Sequence, residues 1–280
     1  MKLVRLLSSA AGVLLILSGA LFTDINAAAA AAAVVPKARP ALTGHKATYE
    51  LSLLRTKPGE GVRAARGTMT YVLSDRCDGY TIESSIAMTL AYADGESQNI
   101  DQRYAGWEAK DGRSSSFSMQ TLENGKASKI YRGTIALNAD GSGTATYEAD
   151  KPVTFDLAPG TMLSTAHTIA LLENAAAGKK FFRGRVIDGA FDRGPFVITA
   201  MIAGGREAQA ALAKGGQLSA GRYWPISLAY FPVASKDPTP EYELGMDMLS
   251  SGISRSMVQD FGDFSIGFKL IDLEPLKPDC

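Results

Sequence analysis

Asp-Gly or Asn-Gly dipeptides begin at Asp78, Asp94, Asp111, Asn124, Asp140 and Asp188, the first five at intervals of roughly 15 residues. Both pairs tolerate the positive φ angles of tight hairpins, so they mark where a chain can reverse between strands. Between them the hydrophobic period is two: Tyr80, Ile82, Ser84, Ile86, Met88 and Leu90 share one face, and Thr81, Glu83, Ser85, Ala87 and Thr89 the other. Tyr242, Leu244, Met246 and Met248 repeat the pattern, as do Phe264, Ile266, Phe268 and Leu270. Less regular strand candidates cover residues 47–54, 68–73, 100–105, 115–122, 130–137, 143–147, 185–188, 196–202, 223–231 and 253–259. The chain therefore reads as mainly β, an antiparallel sheet of about a dozen strands or more. Such a sheet curls into a barrel, a spiral or a pair of sheets, because only then is its apolar face buried and its edges protected.

One segment departs from this period. Residues 161–177 lose alternation and end at Gly178-Lys179-Lys180, a helix stop. Leu163, Ala166, Ile169, Ala170, Leu172 and Ala177 form a broad apolar face. A helix in a curled sheet plugs its open end or fills its concave face; the alternative is a lid over a ligand cavity. Between Gly204-Gly205 and Gly215-Gly216, the alanine-rich residues 206–214 fit one or two helical turns, as a flap or as a lengthened hairpin loop.

Lys2 and Arg5 precede an apolar run over residues 6–22, and residues 27–33 are alanines offering small-residue cleavage sites. This predicts a secretory signal peptide over residues 1–33, with no permanent membrane anchor, since no basic stop-transfer cluster follows. Residues 34–44 read as a flexible leader and residues 45–280 as one domain, about 247 residues being enough for one large β core. The expected compartment is a bacterial periplasm. In that oxidising space the two cysteines, Cys77 and Cys280, read as a structural disulfide; they form neither a Cys-x-x-Cys pair nor a zinc spacing. Closing so long a loop stabilises by roughly 5 kcal/mol on the chain-entropy account, and pins a proline-containing tail beside the strand that begins near Tyr80.

Lysine plus arginine equals aspartate plus glutamate at 29 each, so no basic field attracts nucleic acid. Catalytic motifs are lacking. His167 is the better functional candidate of two histidines, but a packed, hydrogen-bonded histidine is the plainer alternative. The run Gly252-Ile253-Ser254-Arg255-Ser256 lacks the last glycine of a nucleophile elbow. Glu241, Glu243 and Asp247 alternate against the apolar residues of their strand and read as a solvated face. Asp188 and Asp192 lack a calcium loop's ligand count. No metal or cofactor is implied. The candidate ligand-binding residues are Met88, Trp107, Leu163, His167, Met246 and Met248, drawn from an aromatic and methionine set that also includes Met69, Met119, Tyr223, Trp224, Tyr230 and Phe231. Ordinary core packing is the alternative for most of them.

Several runs together resemble the EipB-type cell envelope integrity family. They are His45-Lys46-Ala47-Thr48-Tyr49-Glu50-Leu51-Ser52-Leu53, Cys77-Asp78-Gly79-Tyr80, Leu157-Ala158-Pro159-Gly160-Thr161 leading to His167, and Leu276-Lys277-Pro278-Asp279-Cys280. The resemblance spans essentially the whole mature chain, and the two cysteine contexts are its most specific parts. It implies a non-enzymatic periplasmic protein of diderm bacteria whose sheet coils into an incompletely closed barrel or spiral around a helix. It also implies a Cys77–Cys280 disulfide and a role in keeping the envelope intact under stress. The leading functional expectation is a periplasmic binding or scaffolding protein that works through contacts with periplasmic or envelope proteins, with an apolar ligand such as a lipid or acyl chain in its concavity. The implied fold is similar to that of periplasmic lipoprotein carriers, which makes a lipid or lipoprotein carrier the alternative function; fold alone does not transfer function.

Overall fold

The computed structural model describes residues 41–57, 61–148, 151–189, 194–209 and 216–279. The expected signal peptide, most of the leader and Cys280 lie outside the described residues. The N-terminal run of strands is β1 (His45–Thr56), β2 (Val62–Asp75), β3 (Gly79–Tyr92), β4 (Ser97–Ala109), β5 (Ser114–Glu123), β6 (Lys126–Leu137), β7 (Gly143–Glu148) and β8 (Val153–Leu157). A short β9 (Thr161–Leu163) leads into α1 (Ser164–Ala176). There follow β10 (Phe181–Ile187), β11 (Phe196–Ile202), β12 (Arg206–Ala208), a 3-10 turn at Gly216–Ser219, β13 (Gly221–Pro232), β14 (Tyr242–Leu249), β15 (Ser254–Asp260) and β16 (Phe264–Pro275).

All the strands belong to one sheet, ordered β8-β7-β6-β5-β4-β3-β2-β1-β16-β15-β14-β13-β11-β10-β9, with β12 attached to β13. Two meanders meet where the first strand pairs antiparallel with the last, from His45 opposite Pro275 to Thr56 opposite Phe264. The free ends of the sheet then approach each other. Leu163 and Ile187 from β9 and β10 pack in one buried cluster with Phe117, Tyr131, Tyr147 and Leu157 from the other end. The sheet thus nearly closes into a barrel, with side-chain packing where a ladder of hydrogen bonds would complete it, as the expected fold class requires.

Inside, Leu171, Leu172 and Ala175 of α1 pack against Val186, Phe196, Ile198, Ile226 and Leu228. A second cluster gathers Tyr49, Leu51, Ile253, Ile266 and Leu270 around the β1–β16 seam. The helix stops as the sequence predicts: Gly178 takes φ 75°, and the Lys179 and Gly178 amides donate to the Asn174 and Ala175 carbonyls, a Schellman closure. Its start differs. Residues 161–163 are not helical but pair parallel with Arg185, Val186 and Ile187, so the backbone groups of that turn are satisfied by the sheet. Arg206–Ala208 also departs from the helical expectation, pairing with Tyr223, Arg222 and Gly221; residues 210–215 lie outside the described residues.

Most turn dipeptides behave as expected, Asn124 and Gly125 both taking positive φ, at 50° and 75°. Gly79 and Gly189 are glycine for a different reason. A Cβ on Gly79 would collide with the Trp107 indole, and one on Gly189 with the Phe117 ring. The end of the stretch read as a flexible leader is tied down: Leu42 is buried, the Thr43 amide donates to the Ser251 carbonyl at 3.0 Å, and the Gly44 carbonyl accepts from Leu276 at 3.0 Å. The C-terminal tail runs beside β2, where the Asp279 amide donates to the Asp75 carbonyl at 3.2 Å and its carboxylate pairs with Arg76. Among the described residues no helix is long and apolar enough to cross a membrane.

The seam sets a stability test. Ile266 is 2% exposed at the seam and Leu54 57% exposed on the outside. Ile266→Ala should cost about 2–5 kcal/mol and Leu54→Ala about 0.5 kcal/mol or less, compared by urea denaturation. Equal losses would show that the seam core is not a main source of stability.

Candidate ligand-binding cavity

Strand β4 presents Ile100, Gln102, Tyr104, Gly106 and Glu108 on one parity, facing the interior. That puts a carboxylate inside the sheet, and Glu108 is only 3% exposed. A buried carboxylate needs donors. The N-terminus of α1 supplies them, because Leu163 at the N-cap position has no side chain able to satisfy the first amides. Glu108 Oε2 accepts from the Thr165 amide at 2.8 Å and from the Thr165 hydroxyl at 2.5 Å. A side chain from a strand distant in sequence therefore caps the helix, with its charge placed favourably on the helix dipole. Beside it, Ser164 donates to Asp188 Oδ2 at 2.8 Å. Burial still dominates at Glu108 and pushes its carboxyl up to about 7; the Thr165 bonds oppose that rise and the nearby Asp188 charge adds to it.

Between α1 and the inner face of the sheet lies a cavity of about 340 Å³. Ser164, Thr165, His167, Thr168 and Leu171 line it, positions spaced along one helical face. Met69, Met246, Met248, Met257, Leu228 and Leu244 make apolar walls opposite. Glu108, Asp188, Gln102, Tyr71 and Tyr104 add polar groups. The Tyr104 side chain leans along its own strand towards Gly106, where a Cβ would be 2.5 Å from its hydroxyl. Burial, followed by the charges of Asp188 and Glu108, raises the Tyr104 hydroxyl well above its ordinary range.

His167 is 5% exposed, and its Nε2 has no hydrogen-bond partner among the described residues. Its ring lies 5.6 Å from that of Phe182. Burial lowers its pKa to about 4, so the imidazole is neutral near pH 7. His45 lines the same cavity, 1% exposed, with Nδ1 2.7 Å from the Thr43 carbonyl oxygen.

The cavity brings together three of the candidate binding residues, His167, Met246 and Met248. Met88 instead packs at the periphery of the cluster around Leu51 and Leu90. Leu163, 0% exposed, packs with Ile187 and Leu137. Trp107 has the opposite parity to Tyr104 and Glu108, and lies in a shallow concavity of the outer face with its indole over Gly79. Of the wider aromatic and methionine set, Met69, Met119 and Tyr230 reach the cavity. Cys77 is exposed, with Sγ 3.9 Å from the Asp279 carbonyl oxygen. Glu108 was the main omission of sequence reasoning, and its signal was present: a carboxylate on the same parity as Ile100 and Tyr104.

A model of the EipB-like family matches residues 36–277. The chain belongs to the EipB-like family. It is 29% identical over 278 residues to the cell envelope integrity protein EipB of Brucella abortus (strain 2308), covering 98% of this chain and 95% of that protein. It is also similar to the crystal structure of a β-barrel-like protein, a domain of unknown function, from Brucella abortus. That match has a TM-score of 0.77 and 27% identity, and covers 85% of this chain and 99% of the other. Family membership and structural likeness agree with the near-closed sheet around a helix.

The two buried groups predict opposite pH effects. The raised Glu108 pKa means the folded state holds that proton more tightly; the resulting stability is present below 4.5 and lost as pH rises through about 7. His167 acts in reverse: stability from its neutral burial is present above 6.5 and lost as pH falls towards about 4. Glu108→Gln should therefore gain on wild type between about pH 5 and pH 8, by up to about 3 kcal/mol, and His167→Asn should gain as the pH drops below about 6. Thermal melts across this range check both; curves parallel to wild type would contradict them.

Proposed function

We propose that this protein supports cell envelope integrity as an exported, non-catalytic binding protein, holding an apolar ligand in the cavity beneath α1 and engaging other envelope proteins through its surface. The observation that carries this reading is the cavity itself: about 340 Å³, walled by methionine and leucine and covered on one side by the helix. Its volume lies at the lower end of the range for ligand sites, and methionine suits irregular apolar ligands because it is flexible and polarizable. The relative's name, cell envelope integrity protein, supports the biological setting, and the export-signal pattern supports a periplasmic one. The non-catalytic part of this reading starts from the sequence, which carries no nucleophile elbow and no zinc or calcium spacing. A lipid or lipoprotein carrier is the second reading, favoured by the helix lying over methionine-rich strands.

The reading includes a Cys77–Cys280 disulfide holding the tail. Asp279, the residue before Cys280, is already bonded beside Cys77 through Asp75 and Arg76. Cys77→Ser should lower the melting temperature under oxidising conditions and leave it unchanged, relative to wild type, under reducing ones. Identical oxidised melts would remove the disulfide from the reading.

Met246→Trp fills the cavity from a half-buried wall position. In a strain lacking the gene, wild type should restore resistance to detergents and cell-wall antibiotics, and a folded Met246→Trp protein should not. Full rescue by that variant would count against a role for the cavity.

A further inference from the structure

The outer face of the sheet from β10 to β16 carries an exposed apolar row. Phe181, Met201, Ser227, Gly245, Val258 and Gly267 are register partners across β10, β11, β13, β14, β15 and β16. Their strand neighbours Ile226 and Met246 point inward instead. Leu54 lies over Gly267, where a Cβ would collide with its side chain. Phe181, Met201, Val258 and Leu54 are four of the nine large exposed hydrophobics among the described residues, and all four fall in this one row. Contiguous apolar surface of this kind marks an interaction site, whereas scattered residues would not.

The middle of the row is a trough. Met201 on β11 and Val258 on β15 form its walls, and Ser227 and Gly245 the floor, of a concavity of about 530 Å³ that also takes in Pro225 and Asp247. The walls stand three strand spacings apart, about 14 Å. An α-helix with its side chains is about 10–12 Å across, so this trough, which runs along the strands, has the width of one helix. A Cβ on Gly245 would meet nothing closer than the Val258 carbonyl oxygen at 4.0 Å, so the space above the floor is open. The four strands beneath are each paired on both sides. An extended segment laid over them would find no ladder for its backbone, but a helix brings its own hydrogen bonds.

Charge narrows the occupant. On β14, Glu243 and Asp247 lie on the outer parity on either side of Gly245, about 14 Å apart along the strand. Asp260 on β15 is held by Arg55 at 2.6 Å. Glu243 and Asp247 pair with no cation among the described residues, and Asp247 accepts from the Ser256 hydroxyl at 3.3 Å. A two-fold axis through the trough would set floor against floor and crowd four carboxylates together, which disfavours a second copy of this chain.

We propose that the trough docks an amphipathic α-helix of an envelope partner, with its apolar stripe between Met201 and Val258 and a lysine or arginine near each end of the stripe meeting Glu243 and Asp247. Two and three helical turns span about 11 and 16 Å, which brackets the carboxylate spacing. This rests on the surface contacts of the proposed function, to which it gives a place and a partner type, and it is independent of the cavity beneath α1.

The test adds a synthetic helix of about 18 residues, with leucine and alanine on one stripe and two lysines three turns apart beside it, to the purified mature protein and reads binding by fluorescence anisotropy. The peptide should bind once per chain and at least about tenfold tighter than the same peptide with glutamates for the lysines. Gly245→Leu fills the trough from a position with open space above it and should weaken binding at least about tenfold. Should that variant fail to fold, Met201→Asp changes an exposed wall residue and carries the same comparison. Glu243→Lys combined with Asp247→Lys should reverse the preference towards the glutamate peptide. Failure of the lysine peptide to bind, equal binding of the two peptides, or binding unchanged by Gly245→Leu and Met201→Asp overturns the proposal. A dimer in sedimentation equilibrium that Gly245→Leu dissociates also overturns it and gives the face to a second copy; flotation with phosphatidylcholine vesicles that Met201→Asp abolishes overturns it in favour of a membrane surface. None of these results touches the cavity reading or partner contacts elsewhere on the surface, which the Met246→Trp complementation tests separately.

Discussion

Antiparallel pairing of β1 with β16 joins two meanders that would each otherwise end in an open edge. The partners lie more than two hundred residues apart at His45 and Pro275, so the pairing closes a loop whose entropic cost grows only slowly with length. Once it forms, the strands run in one continuous path and the sheet can curl on itself. The side chains that fill the concave face, from Leu51 through Ile266 to Leu270, belong to strands from both chain ends. The tail contacts at Asp75, Arg76 and Gly44 lie immediately beyond this seam and hold its outer end.

A curled sheet of this size encloses more space than its own side chains fill, and α1 occupies part of the remainder. Its position is set by polar contacts at one end and apolar packing at the other. Glu108 and Asp188 hold the first turn, while Leu171, Leu172 and Ala175 seat the later turns against β10, β11 and β13. Burying a carboxylate to cap a helix is costly, since its charge is removed from water; the rise of Glu108 to about 7 is the mark of that cost. The same placement puts Glu108 at the wall of the cavity beneath the helix.

Much of this was legible along the chain. Alternation in β3, β14 and β16 and the turn dipeptides located the long strands, and Gly178 with its two lysines located the helix stop. The short strands β8 and β9 escaped because five and three residues carry too little periodicity to register. The helix start was misplaced by the same β9, whose extended backbone is held by β10 and not by any local preference of Thr161, Met162 and Leu163. Trp107 was grouped with inward aromatics because Ala105 and Gly106 blur the alternation of β4; pairing with Thr81 and Ser116 places it outside.

The amino-acid sequence by itself determined the class of fold: period-two hydrophobicity and positive-φ turns are local properties, and they admit little besides a long antiparallel meander with one helix. Which residues share the interior was decided by tertiary structure alone. Glu108, Asp188 and His167 come from a strand, a strand end and a helix with no motif linking them, and each is unremarkable in its own segment. They meet because strand parity, sheet curvature and the seat of the helix act together. Parity can be read locally, but curvature and the position of the helix depend on contacts between segments that the sequence separates.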